Sequence, residues 1–63
     1  MDIRDVKKNL NRKVRYQGGG YVLTGCIIRR SDKTGKFFYQ AELTDNVTQN
    51  SLVFCRLEEV SIE

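Results

Sequence analysis

Apolar and polar residues alternate along several short segments of this chain, and turn sequences separate those segments. Val14 and Tyr16, for example, alternate with basic residues on either side. A two-residue period is typical of a β-strand with one face buried, and it leaves few folds other than a small antiparallel sheet. The predicted strands are residues 13–16, 21–30, 37–44 and 51–56, with residues 61–62 as a short additional strand.

Glycines mark the predicted bends between and within these strands. Residues 17–20 include three consecutive glycines, which adopt positive φ angles without a steric penalty, and they predict the first turn. Residues 31–36 predict a second hairpin connection, with Gly35 in the left-handed region. Gly25 lies inside a predicted strand and indicates a bulge or a sharp bend there.

A short amphipathic helix is predicted at the N-terminus. Asp2 is a suitable N-cap for residues 3–10, and Ile3, Val6 and Leu10 share one helical face. Two turns of helix are too short to be stable alone in water, so we expect this apolar stripe to pack on the sheet.

The size and composition of the chain favour one domain without catalytic chemistry. The 63 residues divide into a helix at 1–11 and a β-structure at 12–63, in which residues 57–60 form one helical turn. The chain has no histidine, and its two cysteines are far apart, so we expect no metal site and no cofactor. With no apolar stretch of membrane-spanning length and no secretory signal, we expect a cytoplasmic protein with reduced cysteines.

The order of these elements resembles that of the small SH3-like barrels, which include the KOW, Tudor and Sm-like modules. The shared features are a long second strand bent at a glycine and a one-turn helix before a short last strand, and they cover residues 13–62. The resemblance implies a mainly β fold: a small SH3-like barrel of four to five antiparallel strands with a short N-terminal helix.

Three phrases of the sequence, at residues 14–18, 21–26 and 39–43, look like segments of short proteins from bacterial prophages and conjugative elements. This second resemblance implies an accessory protein of a mobile genetic element, and it implies no particular activity.

Charge is divided unevenly along the chain. Residues 1–36 contain ten Lys/Arg and three Asp, whereas residues 37–63 contain one Arg and five Asp/Glu. Such a division can create a field that selects charged partners. The predicted partner-binding residues bracket the second hairpin and are Arg29, Arg30, Lys33, Lys36 and Phe38, with Phe38 on the solvent side of its strand. A secondary basic patch is predicted from Arg4, Lys7, Lys8, Arg12, Lys13 and Arg15.

Two functions fit these features, and the sequence leaves both open. The first is a protein-binding accessory or inhibitor of a mobile element, which needs only a shaped and charged surface. The second is a nucleic-acid-binding barrel, because cations beside exposed aromatic rings suit phosphates and bases. A homodimer formed through oppositely charged ends is a further expectation. We expect neither a membrane nor a small-molecule substrate as partner.

Overall fold

One antiparallel β-sheet dominates the computed structural model, which describes residues 1–48 and 50–63. The order of the strands across the sheet is β4-β3-β2-β1-β5. Within the described residues, β4 and β5 form the two edges and do not pair with each other, so the sheet is not closed. The mainly β class predicted from the sequence is confirmed. The strands are β1 (Lys13–Tyr16), β2 (Gly19–Arg30), β3 (Phe37–Asp45), β4 (Leu52–Arg56) and β5 (Ser61–Ile62).

Both predicted hairpin turns are present, and each uses a left-handed glycine. Gln17 and Gly18, with φ angles of 50° and 76°, connect β1 to β2. Two consecutive positive φ angles are typical of the two-residue turns that match the twist of a hairpin. In the connection between β2 and β3, Gly35 has a φ of 72° and donates its N–H to the carbonyl of Ser31 at 2.8 Å. The two turns place β1, β2 and β3 side by side.

The predicted irregularity near Gly25 is also present. The pairing of β2 with β3 shifts between Leu23 and Gly25, so Thr24 is an extra residue on β2. A bulge of this kind increases the local twist of the strand. Because Thr24 is the extra residue, Leu23 before the bulge and Cys26 after it both pack on the same core.

The N-terminal segment is less helical than predicted. A 3₁₀ turn (Ile3–Asp5) is followed by the four-residue helix α1 (Val6–Asn9). The Asp2 carboxylate accepts the backbone N–H of Arg4 at 3.1 Å, which confirms the predicted cap. Val6 is buried, whereas Ile3 is 38% exposed. Leu10 is 39% exposed, because its backbone is already extended and no longer helical. The predicted three-residue stripe is therefore reduced to one buried side chain.

The hydrophobic core lies on one face of the sheet, which we call the inner face. The N-terminal segment and the 3₁₀ turn Leu57–Glu59 cover this face, and Leu57 and Val60 point inward as predicted. The terminal ammonium group of Met1 donates hydrogen bonds to the carbonyls of these same two residues, at 3.2 and 2.6 Å. The core residues are Val6, Val14, Leu23, Ala41, Leu43, Cys55, Leu57 and Val60.

The opposite, outer face of the sheet carries apolar side chains as well. β4 was predicted to be apolar on both faces, and it is: Cys55 is buried on the inner face, whereas Leu52 and Phe54 are 58% and 50% exposed. Among the described residues, no helix is long and apolar enough to cross a membrane.

Candidate binding surface at the tip of the β2–β3 hairpin

The hairpin formed by β2 and β3 continues beyond the core. Its outermost strand pairs join Arg29 to Phe38 and Arg30 to Phe37. No residue from position 28 to position 38 is buried, whereas Ala41 and Leu43, further along β3, are fully buried. The molecule measures 36 × 22 × 18 Å, and the twelve-residue β2 accounts for much of its length. We call residues 28–38 the hairpin tip.

The cations of the hairpin tip form no ion pair with any acid among the described residues. The ion pairs formed by the described residues join Arg4 to Asp2 at 2.8 Å and Arg56 to Glu58 at 4.0 Å, and neither pair involves the tip. The tip contains one acid, the exposed Asp32, against four cations, so it keeps a net positive charge that is available to an acidic partner. The four exposed cations, all predicted from the sequence, are Arg29, Arg30, Lys33 and Lys36.

Hydrogen bonds hold the loop of the tip in one shape. The Ser31 N–H donates to the carbonyl of Lys36 at 2.8 Å, and the Nε–H of Arg30 donates to the carbonyl of Gly35 at 3.2 Å. The Thr34 hydroxyl oxygen accepts the N–H of Lys36 at 3.2 Å. Arg30 therefore supports the loop as well as adding charge, which the sequence did not indicate.

The two aromatic residues of the tip, Phe37 and Phe38, differ in how far their rings are exposed. Phe38 lies on the outer face, as predicted, but it is half-buried, because the guanidinium carbon of Arg56 sits 4.7 Å from its ring centroid. Phe37 is 70% exposed, although it is in phase with the buried Ala41. Strand alternation gives the face on which a side chain lies, but it does not show where the core beneath that face ends. The more exposed ring of the tip is therefore Phe37, whereas Phe38 lies on the predicted face and is partly covered by Arg56.

An apolar patch adjoins the cations on the inner face of the tip. Ile28 is 63% exposed and lies directly across from the half-buried Tyr39, and Phe37 lies two residues before Tyr39 on β3, on the same face. Side chains of neighbouring pairs on one face are close enough to touch. Ile28 and Phe37 thus form a small exposed apolar surface next to Arg30, and the sequence analysis missed both residues.

Arg56 also belongs to this surface and was not predicted. It is the one basic residue of residues 37–63, and its pairing with Gln40 places it on the outer face, beside Phe38. The register between β3 and β4 creates this arrangement, and nothing in the local sequence around Arg56 gives that register. Arg56 and Phe38 help to line a shallow hollow of about 290 Å³ at the tip. Its lining residues are Ser31, Thr34, Lys36, Phe37, Phe38 and Arg56.

The secondary basic patch predicted from the sequence consists of exposed residues, and among the described residues only its Arg4 forms an ion pair. Arg4 is paired with Asp2, and Arg12 and Lys13 border a second open hollow, of about 600 Å³, that also contains Glu63. Lys7 and Lys8 are exposed on α1, and the guanidinium of Arg15 makes a long contact of 3.5 Å to the carbonyl of Gly18.

The two cysteines lie on the inner face, away from the charged surface. Cys26 and Cys55 are free thiols that flank Ala41 in one row of the sheet. Burial raises the pKa of both thiols, and the nearby Glu59 carboxylate raises that of Cys55 further. A raised pKa favours the protonated thiol, which is a poor nucleophile. Among the described residues, no three His, Cys, Asp or Glu side chains are grouped so that they could hold a metal ion.

No protein-family model, no curated protein and no solved structure matches this chain.

Proposed function

We propose that this chain is a non-catalytic protein-binding module and that the hairpin tip contacts the partner. The observation that carries the proposal is the exposure of Ile28 and Phe37, at 63% and 70%, on a hairpin tip whose four cations form no ion pair with the described residues. Aromatic residues and arginines are enriched at protein interfaces, and a central apolar contact with a charged rim is their usual arrangement. The partner would present an apolar depression bordered by acidic groups.

The scaffold of the module would be a small SH3-like barrel. Three features support this assignment: the strand order, the pairing of β5 with β1, and the 3₁₀ turn between β4 and β5. The bulge at Thr24 supplies the bend that such a barrel needs in its second strand. An SH3-like scaffold would leave the β2–β3 hairpin free to project.

A protein partner explains the tip better than a nucleic acid does. Cations and the Phe37 ring would suit phosphates and bases, but the aliphatic Ile28 offers nothing to either. A protein partner can bury Ile28 and Phe37 together and gain free energy in proportion to the apolar area removed from water. A nucleic acid is the alternative partner, and a second copy of the chain is another, since its own acidic groups could face the tip.

The proposed biological role is that of an accessory or inhibitor protein of a mobile genetic element. Its support is the resemblance of residues 14–18, 21–26 and 39–43 to short prophage and conjugative-element proteins. Inhibition by occlusion fits a chain of 63 residues, because it requires a rigid surface and no catalytic group.

The test removes the apolar contact and leaves the charge unchanged. A double variant, Ile28→Ser with Phe37→Ser, is compared with a matched control, Leu52→Ser with Phe54→Ser, which removes two exposed apolar side chains of β4. Partners are captured from a nuclease-treated bacterial extract, purified, and titrated against each variant by calorimetry. We expect the tip variant to weaken binding at least about tenfold and the control to change it less than about threefold.

Equal binding by the tip variant and the wild-type protein would contradict the proposal. Capture from an untreated extract that is absent from the nuclease-treated extract, together with tight binding to purified oligonucleotides, would favour the nucleic-acid alternative.

A further inference from the structure

We infer that the hollow beside Arg56 at the hairpin tip is an oxyanion site that accepts one carboxylate of the protein partner. The inference rests on the proposed function and adds the chemistry of the contact. The hollow is lined by two cations, two hydroxyl groups and two aromatic rings, from Ser31, Thr34, Lys36, Phe37, Phe38 and Arg56.

Arg56 is held in place before any ligand arrives. Its guanidinium carbon lies 4.7 Å from the centroid of the Phe38 ring, and its Nη1 lies 4.0 Å from a carboxylate oxygen of Glu58. The side chain is nevertheless 53% exposed. A guanidinium that stacks on a ring keeps the N–H groups at its edge available, and their fork matches the two oxygens of a carboxylate. Arg56 is therefore a preorganised donor and not a freely moving surface arginine.

The hydroxyl groups of the hollow are oriented by backbone donors. Ser31 Oγ accepts the N–H of Thr34 at 3.4 Å, and Thr34 Oγ1 accepts the N–H of Lys36 at 3.2 Å. Because each oxygen already accepts a hydrogen bond, each hydroxyl retains its own hydrogen for a ligand. Lys36 is exposed and lies outside the ion pairs formed by the described residues, so its ammonium adds a second positive charge.

Acidic neighbours limit the hollow to a small anion. Glu58 lies beside Arg56, and Glu42 lies on the same outer face, two residues along β3 from Gln40, the cross-strand partner of Arg56. Glu42 is fixed there by the hydroxyl of Thr24, which donates to Glu42 Oε2 at 2.7 Å. A nucleic-acid strand that continued along this face would bring further phosphates toward these carboxylates. One carboxylate between Arg56 and Lys36 avoids them, which favours a protein side chain over a polyanion.

The experiment titrates isotope-labelled protein with defined probes and follows its backbone amide signals by NMR. The probes are a capped hexapeptide of alternating glutamate and leucine, the same peptide with glutamine in place of glutamate, and a ten-nucleotide oligothymidylate. The protein forms are wild type, Arg56→Gln, Glu58→Gln, the Ile28→Ser/Phe37→Ser variant, and Lys13→Gln as a control cation outside the hollow.

We expect the glutamate peptide to shift the signals of Lys36, Phe37 and Arg56, with a Kd of about 1 mM or lower. Arg56→Gln should weaken this binding at least about fivefold, and Lys13→Gln should change it less than about 1.5-fold. Glu58→Gln should strengthen it about twofold, because the variant removes a competing carboxylate.

Three results would overturn the inference: no shifts in the hollow up to about 10 mM glutamate peptide, wild-type affinity in Arg56→Gln, or tighter binding of oligothymidylate in the hollow with a steep salt dependence. Two further results distinguish failure of the oxyanion site from failure of the proposed apolar contact. If the glutamine peptide binds the tip as well as the glutamate peptide, the apolar contact stands and the oxyanion site does not. If the Ile28→Ser/Phe37→Ser variant keeps full affinity for the glutamate peptide, the oxyanion site stands and the apolar contact does not.

Discussion

The distance between the two cysteines follows from the register of the sheet. Cys26 and Cys55 lie on the same face with Ala41 between them, so two strand spacings separate them, or about 10 Å. A disulfide requires Cα atoms closer than about 7 Å. The fold therefore keeps the two thiols too far apart to join each other, and both are free, for a geometric reason that the sequence alone did not contain.

We predict that both thiols react slowly in the native protein. Burial raises the pKa of Cys26 and Cys55, which lowers the fraction of reactive thiolate at neutral pH. Alkylation by iodoacetamide should be at least about tenfold slower in the native protein than in urea. Because the folded pKa values lie above the unfolded ones, the thiols favour folding below the unfolded pKa, and this contribution is lost as the pH rises toward the folded pKa. Equal alkylation rates in the two states would contradict the burial of these side chains.

A second pH effect is expected at the acidic end of the scale. The Asp45 carboxylate accepts the backbone N–H groups of Val47 and Thr48, at 2.7 and 3.1 Å, and these hydrogen bonds lower its pKa. The contribution of Asp45 to stability is therefore present above its unfolded pKa and lost as the pH falls through the lower folded value. Urea denaturation should show that Asp45→Ala destabilises the protein at pH 7 and that the difference shrinks toward pH 2. The control Asp32→Ala removes an exposed carboxylate of the other loop.

The strands and turns could be predicted from the sequence, because their signals are local. The two-residue period and the glycines predicted β1 and β3 within about one residue, both hairpin turns and the bulge beside Gly25. The first turn is shorter than predicted, because Gly19 and Gly20 pair with β1 and belong to β2. The N-terminal helix was predicted too long, because its length depends on contacts with the core. Those contacts bury Val6 but not Leu10.

The N-terminal segment should nevertheless be part of the folded unit, because Val6 is buried in the core and Met1 binds the carbonyls of Leu57 and Val60. Val6→Asp should lower the free energy of unfolding by about 1–3 kcal/mol, through lost burial and a poorly solvated charge. The control Lys7→Asp places the same side chain one position along, where it is exposed. Urea denaturation measures both variants, and an unchanged midpoint for Val6→Asp would mean that the segment is detached.

The turn between β1 and β2 offers a matched pair of glycines. Gly18 has a φ of 76°, whereas Gly20 has no positive φ, and a Cβ at Gly20 would meet no atom within 4 Å. Gly18→Ala should destabilise the protein by about 1 kcal/mol, because an L side chain is strained in the left-handed region. Gly20→Ala should be neutral or stabilising by about 0.5 kcal/mol, since alanine loses less conformational freedom on folding. Equal effects in thermal denaturation would show that the turn does not require a left-handed glycine.

At the scale of the whole molecule, the uneven charge of the sequence is partly redistributed by the topology. The acidic half of the chain contributes β3 and β4 to one side of the sheet and β5 to the other, with the basic half between them. Strand order is set by long-range pairing, so the sequence could identify the basic hairpin but could not identify Arg56 beside it. The hairpin tip keeps a net positive charge, because it has four cations against the single acid Asp32 and projects beyond Glu42 and Asp45 of β3.

We predict that the projecting position of the hairpin tip makes its cations contribute more to binding a negatively charged surface than their share of the net charge. Arg29→Gln with Lys33→Gln is compared with Arg12→Gln with Lys13→Gln; each pair removes two positive charges and lowers the formal net charge from +3 to +1. All four side chains are exposed, so each replacement should change stability by less than about 0.5 kcal/mol. Among the described residues none of these four cations forms an ion pair, but Arg12 and Lys13 share their hollow with Glu63, whereas the hairpin tip projects beyond the core. Elution from a cation exchanger should therefore shift to lower salt about twice as far for the tip variant as for the control. Equal shifts would mean that net charge alone governs the interaction and that the tip is not a distinct electrostatic site.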